Sequence, residues 1–263
     1  AGCSRTLELL SGCWLSQFTG RARSFLFNLL LISQQLYPLP LVLVVLTITT
    51  GLVDAVSVLG LGRVFTANMT GNIVFLGFAV AGTPGLSVPL YLVSIAGFLV
   101  GAALGGRFGL IMANSLRRRW LLAIALIETG LFFGAALFAI GYDIKTLTPT
   151  HHLYAMIILT AIAMGLRNAT VRRLAVPDLT TTVLTLTVTA IAAESAIAGG
   201  SNPRLGRRLA SVLSIFAGGA IGALLVSQVG LAPPLILAGA SILIATLVYA
   251  IHPASKTISS NTR

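Results

Sequence analysis

The chain has 263 residues, of which 56% are hydrophobic and only 9% charged, with a formal net charge of +11. So few charged side chains cannot clothe a soluble domain of this length, because ordinary soluble chains are about 25% charged. Several apolar runs of about 20 residues are each long enough to cross a hydrocarbon layer roughly 30 Å thick, which points to a polytopic helical bundle.

The basic residues fall in short clusters between the apolar runs. That is the pattern of cytoplasmic loops and of attraction to anionic headgroups, and it argues against a nucleic-acid footprint. The expected partners are membrane lipids and an unknown small solute, with no nucleic acid. Cys3 and Cys13 show no metal-ligand spacing.

Residues 1–38 carry Arg5, Arg21 and Arg23 around a short apolar patch and read as an amino-terminal extension, either poorly structured or lying at the membrane surface. A single membrane domain is expected over 39–252, followed by a polar tail at 253–263. Spanning segments are predicted at about 41–61, 88–111, 120–141, 153–172, 208–229 and 233–251. Two further apolar segments, 66–81 and 179–199, are laced with Asn, Thr and Gly.

The basic residues discriminate between two topologies. If all eight segments cross, the 17 basic residues divide almost evenly between the two faces. If 66–81 and 179–199 dip in and return, only Arg63 and Lys145 stand opposite all the others. The positive-inside bias favours the second arrangement, in the plasma (inner) membrane with both termini cytoplasmic.

An internal repeat is expected, with copies at about 39–141 and 151–252. Gly51-Leu52-Val53-Asp54-Ala55 aligns with Gly165-Leu166-Arg167-Asn168-Ala169, and Asn68-Met69-Thr70-Gly71-Asn72 with Asp178-Leu179-Thr180-Thr181-Thr182. Gly97 and Gly101 align with Gly218 and Gly222. Three spans and one half-span per copy would turn the second upside down relative to the first, an architecture of transporters.

Candidate binding residues follow from this plan. Asn68, Thr70 and Asn72 in the first half-span, and Asp178, Thr180 and Thr182 in the second, are cap-forming types at two intramembrane helix starts. Such starts offer free N–H groups and a positive dipole end to a ligand, although plain capping explains the residue types equally well. Asp54 lies inside the first apolar run, its repeat mate is Asn168, and Arg167 sits beside that mate. Intramembrane charges are costly and usually face a bundle interior or a wet cavity. Asp54 is therefore a candidate proton or cation site, Arg167 a charge partner or substrate anchor, and Glu128 a relay carboxylate.

Gly97, Gly101 and Gly105 form a ridge suited to close helix packing, within the chain or in a homodimer. His151 and His152 are adjacent, which suits chelation badly, and no motif of a catalytic nucleophile or phosphate loop is present. Neither enzyme activity nor a cofactor is expected.

The stretch from Gly51 to Asn72, with its Val-Asp-Ala-x-Ser and Phe-x-Ala-Asn-Met-Thr-Gly-Asn elements, resembles the YoaK-like family of uncharacterised bacterial membrane proteins. The run Gly165 to Ala169 and the Thr-rich stretch Asp178 to Thr182 extend the likeness over about residues 39–252. The resemblance implies an integral, multi-span inner-membrane protein and assigns no binding residue. The leading expectation is a small-solute secondary transporter, proton-coupled through Asp54; the alternative is a membrane sensor or scaffold that binds a lipid or a partner subunit.

Overall fold

The structure is a computed structural model that describes residues 38–113, 115–174, 184–202 and 204–252. The amino-terminal extension, the polar tail and three candidate residues, Asp178, Thr180 and Thr182, lie outside the described residues. The described part is all-α, with eight α-helices in chain order: α1 (Pro38–Gly60), α2 (Met69–Val80), α3 (Val88–Ile111), α4 (Arg117–Ala139), α5 (Thr150–Leu174), α6 (Leu184–Ala193), α7 (Leu205–Val229) and α8 (Ala232–Ile251). A short 3-10 turn, Ala196–Ala198, follows α6.

Six helices are long and apolar enough to cross a membrane, and they are the six predicted as spans. The other two, α2 with 12 residues and α6 with 10, extend only about 18 Å and 15 Å at roughly 1.5 Å per residue. Neither reaches across the hydrocarbon layer as a helix. Many large apolar side chains on the long helices face outward, among them Leu99, Leu110, Leu137, Phe216 and Ile244, as lipid-facing surfaces require.

Small residues decide which helices touch. The buried stripe of α3 is Ser94, Gly97, Gly101, Gly105 and Gly109, and that of α7 includes Ser211, Ser214, Gly218 and Gly222. A Cβ built on Gly101 would land on the Ile162 carbonyl of α5, and one on Gly218 would land on the Ile48 carbonyl of α1. The reverse contacts match: a Cβ at Gly165 would strike the Phe98 carbonyl of α3, and one at Gly51 the Ile215 carbonyl of α7. Backbones approach this closely only where no side chain intervenes.

The helix contacts are therefore symmetric: α3 packs on α5 as α7 packs on α1, and α4 packs on α5 as α8 packs on α1. The packing pairs Gly101 with Gly218 and Gly105 with Gly222. That register is one helical turn away from the sequence alignment of the same glycines, because evenly spaced glycines align equally well one turn out. The α3 ridge is occupied within the chain.

The helix ends sort into two groups. At one end the starts of α1 and α4 pack with the ends of α5 and α8, through Leu43, Trp120, Leu121, Val171, Leu174 and Tyr249. At the other end Tyr142, just past α4, donates a hydrogen bond to the Gly60 carbonyl at the close of α1, 3.1 Å away. A Cβ at Gly60 would press on Leu231, immediately before α8. Arg63, ahead of α2, reaches within 3.9 Å of a Cβ built on Gly85, which follows α2.

Candidate functional site

A buried amide side chain anchors the chain between α1 and α2. Asn72 is completely buried; its Oδ1 accepts from the Phe65 N–H at 2.9 Å, and its Nδ2 donates to the Phe65 carbonyl at 2.6 Å and to Ser94 Oγ at 3.1 Å. Ser94 Oγ donates to the same Phe65 carbonyl at 2.6 Å. Asn72 thus pins the loop onto α3. Asn68 is the cap of α2, its Oδ1 accepting from the Gly71 N–H at 3.3 Å.

The start of α2 opens onto a cavity of about 670 Å³. Asp54 and Thr50 of α1 line it, with Asn68 and Thr70 on the α2 side and Leu184 and Thr185 of α6. Phe75 of α2, Phe98 of α3 and Ile215 of α7 complete an apolar wall. Three candidate residues, Asp54, Asn68 and Thr70, are therefore brought together. A backbone hydrogen bond from Ala67 reaches the Asp54 carboxylate, whereas its Oδ1 is shut off from solvent with no hydrogen-bond partner among the described residues.

Arg167 and Glu128 form a second centre, 1% and 2% exposed, with Arg167 Nε 3.4 Å from Glu128 Oε1. Arg167 Nη1 donates to Thr49 Oγ1 at 2.9 Å, Thr50 Oγ1 at 3.3 Å and the Leu46 carbonyl at 3.3 Å. Both threonine hydroxyls donate back to that carbonyl, which leaves their lone pairs aimed at the guanidinium. The guanidinium also lies 5.6 Å from the centroid of the Phe132 ring, a favourable cation–π placement. Nη2 has no hydrogen-bond partner among the described residues. A void of about 20 Å³ beside Glu128 and Arg167 has room for one water.

Arg167 thus pairs with Glu128, and no Asp54–Arg167 ion pair occurs among the described residues. Thr50 links the two centres: it bonds Arg167 and lines the Asp54 cavity one helical turn away. Asn168 is half-buried and donates to the Met164 carbonyl of its own helix at 2.9 Å. Sequence reasoning overlooked Thr49 and Thr50, although the threonine-rich turn within an apolar span is a visible signal. It also left Glu128 unpaired, because a partner 39 residues away on another helix carries no local signature.

Beyond the candidate residues, a second ion pair joins Arg208 Nη2 to Glu194 Oε2 at 2.8 Å and ties the end of α6 to α7. Outside the spans, Asp143 accepts from the Lys145 N–H and the Thr146 hydroxyl, both at 2.9 Å. These bonds hold its carboxyl below the usual range. Burial, reinforced by the Asp143 charge, pushes the Tyr142 phenol up to about 12. Among the described residues no cluster of His, Cys, Asp and Glu could hold a metal.

No solved structure matches the chain. It is 33% identical over 146 residues to the UPF0700 transmembrane protein YoaK of Bacillus subtilis, an alignment covering 56% of this chain and 62% of that relative. The match therefore spans about three fifths of the relative's length. The profile of a family described as a protein of unknown function, DUF1275, matches residues 42–248. With most of its length inside that match, and with six helices able to cross a membrane, the chain belongs to the DUF1275 family of polytopic membrane proteins.

Proposed function

We propose that the protein is a secondary transporter for a small solute, coupled to protons through Asp54, and not an enzyme. The observation that carries this reading is the cavity of about 670 Å³ that joins an intramembrane acid to the start of α2 and to Leu184 and Thr185 of the second short helix, α6. A sensor or scaffold would call for a filled, dry space around Asn68. Pockets of this size, with a few convergent polar groups in apolar walls, are typical of small-molecule sites.

The sorting of helix ends supports an inverted repeat. If α2 crossed the membrane, the starts of α1 and α4 would lie at opposite ends; they pack together. If α6 crossed, the ends of α5 and α8 would part; they too pack together. Two half-length helices that return to their own side turn one half of the chain over relative to the other, with binding expected at the midplane.

Purified protein in liposomes, given a mixture of labelled small solutes under an imposed proton gradient, tests the reading. Gradient-driven uptake is expected, and Asp54→Asn should abolish the driven component. Undiminished driven uptake in that variant removes Asp54 from the mechanism. No solute movement under any gradient favours the sensor or scaffold.

A further inference from the structure

We propose that this cavity takes a zwitterion of amino-acid size, with its ammonium on Asp54 and its carboxylate against the amides that open α2. The proposal rests on the transport reading of the same cavity and names the solute class. Charge bookkeeping comes first. Arg167 pairs directly with Glu128 and acts on Asp54 only at a distance, so the Asp54 carboxylate has no ion-pair partner in contact among the described residues. Its Oδ1 is buried and unbonded. An unpaired carboxylate in such a place is costly, and a cationic group or a proton relieves the cost.

Across the cavity stands the opposite polarity. Asn68 satisfies the Gly71 N–H, but the Met69 and Thr70 amides precede the first intrahelical hydrogen bond of α2, and both residues line the cavity. Leu184 and Thr185 of α6 border the same space. Helix starts favour an anionic group. An organic cation would satisfy Asp54 and meet the positive start of α2; an organic anion would meet Asp54. A zwitterion suits both ends, while Phe75, Phe98 and Ile215 offer an apolar surface to the body between them. A proton and the solute ammonium then compete for one carboxylate, so that the two exclude each other.

The test uses the full chain in detergent and reads thermal shift and equilibrium binding. The twenty protein amino acids are screened first, and L-leucine is then compared with isoamylamine, which lacks the carboxylate, and 4-methylpentanoate, which lacks the ammonium. The expected result is saturable stabilisation by an amino acid, at least tenfold weaker binding of either truncated analogue, and loss of binding in Asp54→Asn. The analogue comparison needs no variant, so it stands even if Asp54→Asn does not fold.

The proposal is overturned if no amino acid binds, or if isoamylamine binds as well as leucine. Labelling of Asn68→Cys by a small water-soluble maleimide separates the two levels. A labelled cavity that binds no amino acid ends the zwitterion proposal and leaves the transport reading standing, whereas an unlabelled one removes both.

Discussion

Among the described residues Arg167 has a single carboxylate contact and three oxygen acceptors on α1, so the two members of its pair are not equivalent. Removing one partner of a buried pair strands the other charge and costs about 3–5 kcal/mol, while replacing both with apolar or neutral groups is often close to neutral. Glu128→Gln and Arg167→Met should each lower the melting temperature in detergent sharply, with the double variant well above either single one. Strictly additive losses would show that the pair is not coupled. Asn72 invites a parallel comparison with Asn68. Asn72→Ala strips hydrogen bonds from the buried Phe65 backbone and Ser94, at about 1–3 kcal/mol per unsatisfied group. Asn68→Ala loses only an exposed cap bond, about 0.5–2 kcal/mol. Melting curves should rank Asn72→Ala as the more damaging; the opposite order would mean that the loop is held by other contacts. The sequence presented both asparagines as the same kind of residue in one motif, and only the fold separates the lock from the cap.

Among the helices, the glycines divide into those that touch a backbone and those that face open space. Gly101→Leu and Gly218→Leu should destabilise to a similar extent, because their Cβ positions fall on carbonyls of matched partner helices. Gly106→Ala, with nothing within 4 Å of its Cβ, should leave the melting temperature unchanged or slightly raised, since alanine is the better helix former. A large loss at Gly106 together with tolerance at Gly101 would contradict the crossing geometry. The six long helices were legible as uninterrupted apolar runs, with ends blurred by a few residues: α4 begins at Arg117, where long basic side chains can extend from the helix end toward water. The register between α3 and α7 was not legible, because a glycine at every fourth position looks the same after a shift of one turn. The second half-span, read as 179–199, holds a described helix only over Leu184–Ala193, closing in a turn where the Asn202 N–H donates to the Glu194 carbonyl.

For the molecule as a whole, the question is which side each loop occupies. With Cys3 and Cys13 replaced, Ser201→Cys should resist an impermeant maleimide in intact cells and react once the cells are broken, while Ser87→Cys should react from outside. Labelling of Ser201→Cys in intact cells would mean that α6 and its flanks cross, and the inverted repeat would fall. In the sequence, the distribution of basic residues separates the two topologies where length does not, because the penalty for translocating arginines acts on every loop. The pairing of α1 with α7 and of α3 with α5 was beyond reach of local pattern, since it joins segments separated by other spans.

That pairing has a consequence for how the protein is made. α1 leaves the ribosome well before α7 and α8, the helices it packs against most. At roughly 5–20 residues per second, the wait is on the order of ten seconds or more. Through that interval Gly51 lacks its helix partner, and for most of it Thr49 and Thr50 lack the guanidinium of Arg167, which arrives only with α5. The unfinished chain must be sheltered by the insertion machinery or sit awkwardly in lipid, and a chain cut short before Leu205 leaves the Gly51 face of α1 permanently open to membrane quality-control proteases.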